Sequence, residues 1–165
     1  MGVKSTNFAR LVSVFAFFLA LSSHNIAMGT DFADLRLENA DRREILSLSL
    51  DSMKSLGWET LETNTPWSPN LTVFGGVPLA DLLAHAGIRS ARVLAIALND
   101  YQAEINVEDA VKWEAFVACE ADGQPMSVRE KGPCWIVFPW SQHLELNNGD
   151  VQAISVWQLS TLRAL

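Results

Sequence analysis

From residue 45 onward the chain is a series of short apolar or alternating stretches broken by Gly, Pro and Asn-Asp, and only one segment has a clear helical period. That pattern restricts the fold to short strands with brief helices between them. Ile45-Leu46-Ser47-Leu48-Ser49-Leu50 alternates apolar and polar, the period of a half-buried strand. Arg92–Leu98 and Pro133–Pro139 are nearly continuous apolar runs and read as buried strands. Tyr101–Val107 puts Tyr101, Ala103, Ile105 and Val107 on one face of a strand. Glu114–Glu120 reads as a strand ended by the hairpin-type turn Asp122-Gly123. Val151–Leu162, after the turn Asn147–Asp150, reads as the last strand, with Ile154, Val156 and Trp157 inward.

Trp58–Thr63 alternates only in part, Thr65-Pro66-Trp67-Ser68-Pro69 is expected to be irregular, and Val73–Val77 is expected to turn at Gly75-Gly76. The helical segment starts at Pro78, carries Asp81 near its positive end and closes at Gly87. Leu79, Leu82, Leu83 and Ala86 form its apolar face, and His85 lies off that face. Shorter helices are expected over 52–56 and 108–113. Together these elements predict an α+β domain, a mixed β-sheet with short helices.

The full sequence has 165 residues, 49% of them hydrophobic, with six Trp. That is enough for one domain to bury a core without a metal or disulfide staple. The formal net charge of -7 argues against a nucleic-acid partner. The N-terminus reads differently from the rest. Lys4 and Arg10 are the only charges before Asp31, Leu11–Leu21 is apolar apart from Ser13, and Ala27-Met28-Gly29 offers small residues at a cleavage site. This predicts a signal peptide over 1–29, a mature domain over 30–165 and export to the periplasm. The run falls short of the ~20 apolar residues a spanning helix needs, which weighs against the alternative of an uncleaved anchor.

Among chemistry-bearing patterns, the sequence lacks a nucleophile elbow, a zinc-protease helix, a P-loop, a dinucleotide fingerprint and a Cys-x-x-Cys pair. His85 and His143 stand far apart without Cys neighbours, so no metal site is expected. Cys119 and Cys134 fall in two apolar strands, where buried free thiols are expected. A disulfide would need Cα atoms within about 7 Å. Three polar clusters are left: Thr63-Asn64-Thr65-Pro66-Trp67, Asn99-Asp100-Tyr101, and Arg129-Glu130-Lys131-Gly132-Pro133. Singly, each reads as turn chemistry or solvated charge. Jointly they supply aromatic faces, a carboxylate and cations, which suit a flat heterocycle with an anionic or polar tail.

At these clusters the sequence resembles the molybdopterin-binding domain of the sulfite oxidase family. The marks are Phe74-Gly75-Gly76-Val77-Pro78-Leu79 with Leu82, Leu83 and Gly87, then Ala97–Tyr101, Asp122–Pro133, Trp135–Pro139 and Val156-Trp157-Gln158-Leu159. They look most like the short, secreted, stand-alone branch of the family. The resemblance implies a pterin or molybdopterin ligand held by Thr63, Trp67, Asn99, Asp100, Tyr101, Arg129, Lys131 and Gly132. Family enzymes hold molybdenum through a Cys in the loop before the Val77-Pro78-Leu79 helix, and here that loop, Thr63–Trp67, has none. A Thr hydroxyl cannot replace a soft thiolate ligand. The expected protein is therefore a periplasmic pterin-binding protein without catalytic or metal-ligating residues. The resemblance further implies a role as ligand sensor or accessory to the periplasmic domain of a membrane signalling protein. The alternatives are a molybdopterin-dependent oxidoreductase subunit and an interaction module without a small ligand.

Overall fold

The computed structural model describes residues 1–2 and 34–165, and the signal peptide expected over 1–29 lies outside the described residues but for its first two. In chain order the elements are β1 (Leu35–Glu38), β2 (Glu44–Leu48), α1 (Leu50–Lys54), β3 (Glu59–Thr65), β4 (Ser68–Pro78), α2 (Leu79–His85), β5 (Arg92–Ala97), β6 (Gln102–Asn106) and α3 (Val107–Lys112). They continue with β7 (Phe116–Ala121), β8 (Gln124–Pro125), β9 (Trp135–Val137), α4 (Gly149–Ile154) and β10 (Leu159–Ala164).

The strands form two sheets. One has the order β2-β1-β10-β5-β6 and is mixed, because β1 and β10 run parallel while its other pairs are antiparallel. The second has the order β3-β4-β7-β8, with β9 also on β7, and is antiparallel throughout. Leu35, Leu37, Val93 and Leu162 of the first sheet and Phe74, Val77, Val117 and Ile136 of the second belong to one buried core. α2 adds Leu79, Leu82 and Leu83 to that core, the face its sequence period predicts, while His85 is exposed. The α+β expectation holds. The short connections are also as expected at Asp122-Gly123, where both residues have positive φ (50° and 75°) as a tight hairpin requires.

Four local expectations are corrected. The stretch 65–69 is a strand end, a two-residue turn and a strand start, because Thr65 pairs with Ser68 to close the β3–β4 hairpin. Gly75-Gly76 is no turn: β4 continues through it, with a bulge-like shift of register against β7 between the two glycines. A Cβ on Gly76 would overlap the Val117 carbonyl, so the missing side chain lets β4 and β7 approach. Residues 149–154 form a helix, not a strand. Asn148 caps it, its Oδ1 accepting from the amides of Asp150 (3.0 Å) and Val151 (3.1 Å).

The fourth correction concerns the cysteines. Cys119 and Cys134 are joined by a disulfide with a Cα–Cα distance of 4.2 Å, and both are fully buried. The antiparallel pairing of Ala118 with Trp135 and Val117 with Ile136 places the two cysteines directly opposite each other. Their spacing along the chain does not reveal that register. Leu159 donates to the Cys134 carbonyl (2.8 Å) and Ile136 to that of Val156 (3.0 Å). The disulfide-braced segment therefore also ties the second sheet to the segment that enters β10.

Candidate functional site: an aromatic cavity beside a half-buried lysine

Three chain segments meet where the two sheets join. The first is the tip of the β3–β4 hairpin. There Thr65 Oγ1 accepts from the Trp67 amide at 3.3 Å, and the Trp67 indole is 40% exposed. The second is the β5–β6 turn. Asp100 sits in the left-handed region (φ 65°), its amide donates to Ala97 O (3.1 Å), and Asn99 Oδ1 accepts from the Tyr101 amide (3.2 Å). The third runs from α4 into β10, and the Tyr101 hydroxyl reaches it by donating to Ala153 O at 2.8 Å. Between them lies a cavity of about 240 Å³. Trp67 comes from the first segment, Asn99 and Tyr101 from the second, and Gln152, Ser155, Val156 and Trp157 from the third. The volume falls below the range of about 300 to 1,000 Å³ usual for drug-sized ligands, so it suits a small ring and not a bulky one.

Indole rings make the cavity wall. Trp67 meets Trp157 edge-to-face at 5.3 Å and packs on Trp135 at 5.7 Å and Trp140 at 6.0 Å. The inner two rings are anchored: Trp135 Nε1 donates to Ser155 (Oγ 3.0 Å) and Trp140 Nε1 to Leu146 O (3.2 Å). Ser155 in turn donates to Ile136 O at 2.6 Å. The outer two, Trp67 and Trp157, are half-buried and face the opening. Such partly wet aromatic faces suit stacking on a flat ring.

Lys131 sits against this cluster. Its Nζ lies 4.1 Å from the Trp135 ring centroid, 5.1 Å from that of Trp67 and 5.6 Å from that of Trp157. The three π-faces attract the ammonium. No carboxylate among the described residues lies within salt-bridge distance of it. Burial pushes its pKa below the ordinary lysine range. Lys131 also has a left-handed backbone (φ 77°), as does Gln158 (φ 52°). The two are linked, since the Gln158 amide donates to Lys131 O (2.8 Å) and the Leu98 amide to Gln158 O (2.9 Å). Three of the chain's left-handed non-glycine residues, Asp100, Lys131 and Gln158, thus border one site. Strained backbone of this kind concentrates where function requires it.

Of the residues expected from sequence, the structure brings Trp67, Asn99 and Tyr101 to the cavity wall and sets Lys131 against the Trp67, Trp135 and Trp157 rings without its lining the cavity. It does not bring the other four to the cavity wall. Thr63 is fully buried in β3, where its Oγ1 accepts from the Ser141 amide (3.0 Å) and donates to Asn64 O (3.0 Å). Asp100 is exposed and shapes the turn. Arg129 is exposed on a single helical turn, Val128–Glu130. Gly132 packs so closely on Met126 that a Cβ would overlap its carbonyl. The sequence pattern does not reveal Gln152 and Ser155, which lie in α4 and at its end where a strand is expected, and Trp157, expected in the core, faces the opening. A second depression of about 360 Å³ beside Leu61, Val111 and Phe116 is wider but carries no aromatic cluster or lysine.

Comparison with known proteins accords with this geometry. The model of the oxidoreductase molybdopterin binding domain matches residues 35–144. The chain belongs to this family. A sulfane dehydrogenase structure, SoxCD from Paracoccus pantotrophus, superposes with a TM-score of 0.58 at 16% identity, over 82% of this chain. That likeness shows a shared fold, and the chain spans only 38% of the SoxCD chain. No curated protein matches the sequence.

Molybdopterin, the cofactor this family implies, has a flat pterin and a metal end. The aromatic cavity and its lysine fit the pterin. The metal end finds no soft ligand: the sequence has two cysteines, and both are in the disulfide. No group of three or more His, Cys, Asp or Glu among the described residues is placed to hold a metal ion.

Proposed function

We propose that this molybdopterin-binding-domain protein binds a pterin without molybdenum, does no redox chemistry of its own, and works in the periplasm as a sensor or accessory subunit. One observation carries the proposal: every cysteine is locked in a buried disulfide while the aromatic cavity stays open. A paired sulfur cannot act as a thiolate ligand. In the bound state one of the nearly perpendicular indoles Trp67 and Trp157 stacks on the ring, the other and Tyr101 border it, and Lys131 supplies the positive charge for an anionic tail.

Two further points support the periplasmic setting. The basic, apolar and small-residue order of residues 1–29 is that of an export signal. A structural disulfide also belongs to an oxidising compartment. The signalling role rests on the resemblance to short secreted family members, and its partner would be the periplasmic domain of a membrane protein.

Mass spectrometry of small molecules released from the exported protein tests the ligand: a pterin is expected, and its absence together with no thermal shift from added pterins would refute the reading. Leu19→Arg tests export by breaking the apolar run. Precursor should then accumulate inside the cell, and unchanged export would contradict the signal peptide. Family membership favours one second reading, an oxidoreductase subunit that takes its metal ligand from another chain.

A further inference from the structure

The cavity has no carboxylate in its wall, although a carboxylate is the usual partner for a ring with adjacent N–H groups. In its place it holds two carboxamides, Asn99 and Gln152. Each is half-used by the protein. The Tyr101 amide donates to Asn99 Oδ1 (3.2 Å), which fixes the orientation of that side chain and leaves Nδ2 without a partner among the described residues. Gln152 Nε2 donates to Asn147 Oδ1 (3.1 Å), and Oε1 is likewise left over. The wall therefore offers one spare donor and one spare acceptor from neutral groups.

Resting on the pterin reading above, we infer that Asn99 and Gln152 read the lactam edge of the ring and select a 4-oxopteridine over a 4-aminopteridine. Asn99 Nδ2 donates to the ring C4 carbonyl, and Gln152 Oε1 accepts from the adjacent N3–H. A 4-amino ring reverses both atoms. It sets an NH₂ donor against the Asn99 donor and a lone pair against the Gln152 acceptor. Sites built on hydrogen bonds discriminate strongly against such reversals, because their polar groups are left unpaired. A neutral pair also suits an uncharged ring, leaving Lys131 as the charged contact for the tail.

Titration calorimetry of the full exported domain with pterin-6-carboxylate and 2,4-diaminopteridine-6-carboxylate tests this directly. The two share a tail and differ at the lactam edge. Wild type should bind the oxo compound about tenfold or more tighter. Asn99→Asp keeps the acceptor for the Tyr101 amide and the turn, but turns the spare donor into an acceptor. It should weaken the oxo compound and abolish or invert the preference. Gln152→Leu should lower oxo binding with an unchanged melting temperature. Equal affinities in wild type, or a preference untouched by Asn99→Asp, would overturn the amide pair while leaving the pterin site standing. Failure of both compounds to bind wild type would overturn the pterin reading and this inference with it.

Discussion

The α2–β4–β7 region and the rim of the aromatic cavity lie in one domain but are built on opposite principles. In the first, Leu82, Leu83 and Val77 are buried among apolar neighbours, and Gly76 lets two strands close up. At the rim, Asp100, Lys131 and Gln158 hold left-handed backbone, Trp67 and Trp157 stay half-exposed, and Lys131 keeps an ammonium among indoles with no carboxylate partner among the described residues. The first arrangement maximises burial. The second holds polar and aromatic groups in place at a cost in stability, the trade expected at a binding site.

Substitutions should separate the two regions. Gly76→Ala forces a side chain into the Val117 carbonyl and should cost the most, about 4 kcal/mol or more, seen as a large fall in melting temperature. A mild effect would mean that the strands can part, and the contrast would weaken. Leu83→Ala should cost about 3 kcal/mol in denaturant melts, while His85→Ala, two residues on but exposed, should change stability by less than about 0.5 kcal/mol. At the rim the sign should reverse. Asp100→Gly relieves a left-handed residue and should raise stability by up to about 1 kcal/mol. A loss there would show that the Asp100 side chain contributes more than its turn.

The smallest effect is a pH dependence at Lys131. Its pKa is lowered in the folded protein, so between that value and the ordinary lysine pKa the unfolded chain binds more protons. Stability from this group therefore rises with pH through that window. An anionic ligand favours the charged form, so affinity for a carboxypterin should fall as pH rises through the lowered pKa, and more steeply than affinity for a pterin without the carboxylate. Lys131→Met should remove the difference between them. A persistent pH dependence in that variant would place the anion elsewhere.

Much of the burial-driven region is legible in the sequence, because burial leaves a period. The spacing of Leu79, Leu82 and Leu83 gives α2 and its buried face, and the run 92–98 gives β5. The Asp122-Gly123 turn is written in residue types that tolerate positive φ. The cavity is harder to read. Trp67, Asn99, Tyr101 and Lys131 stand out as chemistry on loops, but their meeting depends on sheet pairing between distant segments. The α4 wall is hidden because Asn147-Asn148-Gly149-Asp150 has the composition of a turn, and a helix as short as Gly149–Ile154 has no room to show a period. The disulfide is hidden for a related reason: strand register decides whether Cys119 faces Cys134, and spacing along the chain does not carry register.

The central claim is a pterin site without a metal, and the most direct test is to measure molybdenum and pterin in one sample of protein purified from the periplasm. The account predicts pterin approaching one per chain with molybdenum near background. Molybdenum near one per chain would contradict it.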